Sequence, residues 1–93
     1  MIIRILSEGQ YELKGSALAE LDDIDNEMLE AVAKNDPQAF AAALERVLNL
    51  VRSKGVRLAD SFLGESDLIL PAPDMSLEEA RQLFAEYPAD LLG

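Results

Sequence analysis

The chain contains no cysteine, no histidine and no tryptophan. Without cysteine there is no disulfide, no thiolate nucleophile and no sulfur donor for zinc. Without histidine the commonest acid–base catalyst and metal ligand is missing too. Basic residues are scarce: 8 Lys and Arg stand against 18 Asp and Glu, a net charge of −10. So acidic a molecule is repelled by nucleic acid and by anionic lipid, both of which call for a basic surface. The 5 glycines are scattered and form neither a dinucleotide fingerprint nor a phosphate loop. Long apolar runs are absent. Ile2-Ile3-Arg4-Ile5-Leu6 is broken by an arginine and is too short for a signal-peptide core, and nothing approaches the ~20 residues of a membrane span. The lack of cysteine accords with a reducing cytoplasm.

What is present is enough for one small globular domain over residues 1–93, with 49% of the residues apolar. The expected fold class is α+β: an N-terminal β-hairpin, an antiparallel helix pair, a short extended segment and a C-terminal helix. Ile2 to Leu6 is rich in β-branched residues and reads as a strand. Ser7-Glu8-Gly9-Gln10 supplies the turn, with Gly9 free to take a positive φ, and Gln10 to Leu13 returns. An isolated hairpin is marginal in water, so it must rest on helices or gain a strand.

Ser16 is the expected N-cap of the first helix, and Ala17, Leu18, Leu21, Ile24, Met28, Leu29 and Val32 recur at helical spacing. Lys34-Asn35-Asp36-Pro37 reads as a left-handed stop, an N-cap and a first-turn proline. The second helix then runs to about Ser53, ended by Lys54-Gly55. A turn this short makes the two helices antiparallel neighbours. Leu68-Ile69-Leu70, ended by Pro71, is an extended segment and a candidate third strand. Ser76 with Glu79 forms a capping box for the third helix, whose stripe is Leu77, Ala80, Leu83, Phe84 and Tyr87, with Pro88 ending it. That stripe either covers the hairpin or docks a partner. The leucines of the tail, Leu91 and Leu92, are expected to tuck onto the core.

The charge is uneven. Ser16 to Asp36 holds seven acids (Glu20, Asp22, Asp23, Asp25, Glu27, Glu30, Asp36) against Lys34, while Pro37 to Arg57 holds four bases (Arg46, Arg52, Lys54, Arg57) against Glu45. Antiparallel packing sets the first group beside the second. The pair of faces is then either a self-neutralising solvated seam or an acidic docking surface. Asp25 stands apart, because at helical spacing it points into the apolar arc. A buried carboxylate needs a partner, and Arg46, roughly opposite, or a backbone group would supply it. Asp22-Asp23-Asp25 resembles a calcium loop only superficially, lacking its glycine and its final glutamate. No metal site, cofactor or catalytic constellation emerges, and the chain is expected to act by binding rather than catalysis.

Three stretches carry a family likeness: "MIIRILSEGQYEL", "AVAKNDPQAFAAALERVLNLVRSKG" and "SDLILPAPDMSLEEARQLF". In words and in order the chain resembles the PspA-associated domain proteins (PspAA), small bacterial proteins encoded beside phage-shock-protein A. Glu8-Gly9-Gln10-Tyr11 and Ser66 to Pro71 are the most specific parts. The resemblance implies a non-catalytic cytoplasmic accessory in the envelope stress response. Its partner would be a PspA-like helical protein that maintains the membrane, through which alone the chain would reach the inner membrane. No membrane insertion, nucleic-acid partner or cofactor is implied, and a homodimer stays open. The partner surface is expected at Glu8, Gly9, Gln10, Tyr11, Asp67, Leu68, Leu70 and Pro71, with Tyr11 as aromatic anchor or, alternatively, as core. The rival reading from charge is an acidic inhibitor or antitoxin-like protein that masks a basic surface.

Overall fold

The computed structural model describes residues 1–86. The expectations for Tyr87, Pro88 and the tail leucines fall outside that range. Strands β1 (Ile2–Ile5) and β2 (Gly9–Glu12) form the hairpin, and helices α1 (Ala17–Ala33) and α2 (Pro37–Lys54) form the antiparallel pair. Two further strands, β3 (Val56–Arg57) and β4 (Leu68–Leu70), precede helix α3 (Leu77–Glu86). The α+β architecture is therefore as expected, with a sheet of four strands where the hairpin and one candidate strand were foreseen.

The sheet order is β3-β2-β1-β4. The first strand of the chain is thus interior, antiparallel to β2 and parallel to β4 in the register Ile3↔Leu68, Arg4↔Ile69, Ile5↔Leu70. Ile3, Ile5, Tyr11, Leu13, Leu68 and Leu70 alternate onto one face and join a single core with Leu21, Met28, Phe40, Val47 and Val51 of the helices. The segment from Leu58 to Asp67 carries the chain from one edge of the sheet to the other. It passes over the opposite face, where the Gln10 Nε2 donates to the Gly64 carbonyl at 3.0 Å and to Ser66 Oγ at 2.9 Å. This strap buries Gln10, so the sheet is covered on both sides at that point.

Local chemistry sets the boundaries. Asn35 takes φ 56°, Asp36 accepts a hydrogen bond from the Ala39 N–H, and Pro37 opens α2. The Ser76–Glu79 box is complete: the Ser76 N–H donates to the Glu79 carboxylate and the Glu79 N–H to Ser76 Oγ. Ser16 departs from expectation, occupying the N-cap position without a capping hydrogen bond from its side chain. Beyond β3 the chain closes a single turn, with the Phe62 N–H donating to the Ala59 carbonyl. Among the described residues no helix is long and apolar enough to cross a membrane.

Leu70 is fully buried where β4, the hairpin and the helices meet. Leu70→Ala is expected to cost about 2–5 kcal/mol in denaturant unfolding. Leu63→Ala, at a side chain 94% exposed, should stay within about 0.5 kcal/mol of the parent.

Candidate functional site

The hairpin turn is tied to the rest of the fold by several side chains. Ser7 (φ 68°) and Gly9 (φ 144°) reverse the chain and present the Glu8 carboxylate to α2. Arg52 grips it through two bonds, Nε to Oε2 at 3.0 Å and Nη2 to Oε1 at 2.5 Å, and the Tyr11 hydroxyl donates to Oε2 at 2.7 Å. From β3, Arg57 donates to the Glu8 carbonyl at 2.7 Å. The positive φ is what calls for glycine here; a Cβ would come within 2.9 Å of the Arg57 guanidinium, the far end of a side chain that would have to swing aside. The Arg52 hydrogen bond holds the Glu8 carboxyl down to about 2, with Tyr11 and the charges of Arg52 and Arg57 assisting against burial. The same carboxylate, as acceptor of its hydrogen bond, raises the Tyr11 hydroxyl.

The turn and the Ser66–Pro71 stretch do lie together, with Leu68–Leu70 beside the hairpin as expected. Asp67 pins the register: its N–H donates to the Ile2 carbonyl and its Oδ2 accepts from the Ile2 N–H at 2.8 Å. The surface they were expected to present is a different matter. Gln10, Tyr11, Leu68, Leu70 and Pro71 are all buried. Tyr11 is buried and packs into the core, the alternative reading of this residue. Of the eight residues expected to bind, Glu8 and Gly9 are half-buried under arginines and Asp67 is exposed but occupied by Ile2. They form a seam that closes the fold.

The helix seam neutralises itself in part. Glu20 pairs with Lys54 and Glu27 with Arg46 across the two helices, and Glu30 with Lys34 along α1. The expected Asp25–Arg46 pair does not form. Arg46 bonds Glu27 at 2.5 Å on the exposed side, because Glu27 and Asp25 project from different faces of α1. Asp25 is 2% exposed and makes no ion pair among the described residues. Burial pushes its carboxyl up to about 6, and the charge of Asp22 adds to the shift. Beside this seam lies a shallow hollow of about 380 Å³, floored by Ala31, Ala39 and Ala43 between Glu27 and Arg46.

Sequence reasoning did not single out Met75. Two hollows, of about 290 and 370 Å³, share this side chain: one reaches α2 at Leu44 and Leu48, the other reaches Leu6 and Leu83. Nor was Arg52 matched to Glu8. The signal available was that Glu8 is the sole acid in the hairpin turn, while Arg52 begins the basic end of α2.

Opposed titrations follow from Glu8 and Asp25. Folded Asp25 keeps a proton between 3.8 and about 6 that the unfolded chain releases, so stability falls as pH rises through that window. Glu8 contributes stability above its ordinary 4.5 and loses it as pH falls toward about 2. Thermal unfolding at low protein concentration should therefore show greatest stability near about pH 4–5. Asp25→Asn should stabilise the chain by about 1–3 kcal/mol at neutral pH and by little at about pH 4. Glu8→Gln should destabilise it by about 1–2 kcal/mol at neutral pH and flatten the acid limb.

No curated protein and no solved structure matches the chain. A family model does, that of the PspA-associated proteins, over residues 1–90. The match runs from β1 through all the described elements, and it includes both the Glu8-to-Tyr11 turn and the Ser66-to-Pro71 strand that the structure locks together. The chain belongs to the PspA-associated protein family.

Proposed function

We propose that the protein is a non-catalytic accessory that binds a PspA-type membrane-maintenance protein and serves the envelope stress response through that contact. The observation that carries this reading is the family match over residues 1–90. The arrangement of charge supports it. With a net charge of −10 the chain is repelled by anionic lipid, so it reaches the membrane through its partner. The rival reading, an acidic mask for a basic surface, drew on the α1 acids. Glu20, Glu27 and Glu30 are already paired with cations of this chain, which weakens that reading.

The test is capture of a purified PspA-type protein by the immobilised chain at about 0.05 M and about 0.5 M salt. Retention at both is expected, because an apolar helix-in-groove contact survives screening. Binding lost at high salt, or no binding at all, would remove the accessory reading. In parallel, the chain alone should not sediment with anionic vesicles, and should do so only when the PspA-type protein is present.

A further inference from the structure

We infer that Phe62-Leu63, at the tip of the strap, is an apolar plug that enters a socket on the PspA-type protein, and that lysine and arginine rim this socket. The inference rests on the accessory reading and names the surface through which it would act. Among the described residues three large apolar side chains are exposed: Val56 at 69%, Phe62 at 36% and Leu63 at 94%. All three lie between β3 and β4, and two are neighbours.

The fold holds this tip out. Gln10 fastens both ends of the loop that carries it. The Gln10 carbonyl accepts from the Leu58 N–H at 2.9 Å, and its Nε2 donates to the Gly64 carbonyl at 3.0 Å. Between these anchors the Phe62 N–H donates to the Ala59 carbonyl and turns the chain. The Phe62 ring lies against Gly64, where a Cβ would collide with it. Leu63 projects into solvent. A compact loop with its ends drawn together on a rigid base is a form in which binding residues are commonly carried. Here the exposed apolar pair leaves water only when a partner covers it.

Shape and charge select the occupant. A projecting apolar tip is received by an apolar concavity. Asp60 and Glu65 flank Phe62-Leu63, two positions away on either side, and both are exposed. Arg57 meets Asp60 at 3.4 Å, but that carboxylate is 95% exposed, so the pair is weak. Glu65 is in no ion pair among the described residues. Arg4, the exposed cation of β1, is in register with Gln10, at the base of the loop rather than its tip. The rim that meets these acids is therefore positive. A second copy of the chain, at −10, is mismatched, and so is the stretch from Tyr87 to Gly93, which carries Asp90 and no cation.

Affinity of the full-length chain for immobilised, purified PspA-type protein is measured by surface plasmon resonance, with folding checked by circular dichroism. Leu63→Ser and Phe62→Ser should each weaken binding about tenfold, and Gly64→Ala, which displaces the ring, about threefold. Val56→Ser removes an exposed apolar side chain outside the loop and should cost less than about twofold. Glu65→Lys should weaken binding about threefold at about 0.05 M salt and leave it unchanged at about 0.5 M. Undiminished binding by Leu63→Ser and Phe62→Ser would overturn the plug and leave the accessory reading standing, whereas no binding by the parent would remove both. Equal loss in Val56→Ser, or tighter binding by Glu65→Lys, would also overturn the inference. So would sedimentation of the chain alone with phosphatidylcholine vesicles that Leu63→Ser abolishes, which would make the tip a membrane wedge. A dimer dissolved by Leu63→Ser, or about tenfold tighter binding by Leu91→Asp with Leu92→Asp, would overturn it too, by giving the tip to a second copy or to the tail.

Discussion

The structure depends on β1 having a neighbour on each side. Four residues of hairpin cannot hold themselves in water, and the hairpin's second strand is matched by only two residues of β3 beyond it. The parallel pairing of Ile3–Ile5 with Leu68–Leu70 turns a marginal ribbon into a sheet with an interior strand. It also completes the floor on which α1 and α2 rest, since Leu68 and Leu70 enter the same core as Ile3 and Ile5. Asp67 begins that pairing and Pro71 ends it; both fit because β4 is an edge strand, where a proline costs no interior hydrogen bond.

The residues that carry the family likeness are thereby explained as architecture. Glu8 anchors the turn to α2, Gly9 admits Arg57, Gln10 holds the strap, and Tyr11 fills the core and bonds Glu8. Their second effect is electrostatic. By pairing with Arg52, Glu8 takes up the one cation that lines the hollow at Leu44 and Leu48. Fold maintenance and surface character meet at one carboxylate.

Much of this was legible from the residues. The helix pair, its Asn35-Asp36-Pro37 punctuation and the Ser76 box all follow from local chemistry, because helices and caps are specified by residues a few positions apart. The acidic and basic halves of the helix pair located the Glu20–Lys54 and Glu27–Arg46 bridges in outline. What failed is long-range. Tyr11 stood open between anchor and core, because period two says that it shares a face with Leu13 but not which face meets the helices; it lies in the core. Asp25 lies in the core as its helical spacing implies, but counting along α2 does not fix its partner, and Glu27, two residues on and on another face of α1, takes Arg46 instead. The two hollows beside Met75 were invisible because each is lined by segments far apart in the sequence.

The crossing of the strap has a consequence for biosynthesis. β4 joins β1 across a separation of about 65 residues, so a strand made early is completed only by one made much later. The contacts of the helix hairpin are closer in sequence than the β1–β4 pairing, and the sheet cannot close before β4 is made. Until Leu68–Leu70 arrive, Ile2–Ile5 presents an open, isoleucine-rich edge, the kind of template on which nascent chains pair with the wrong neighbour. A chain arrested before residue 68 leaves that edge bare and its helices without part of their floor.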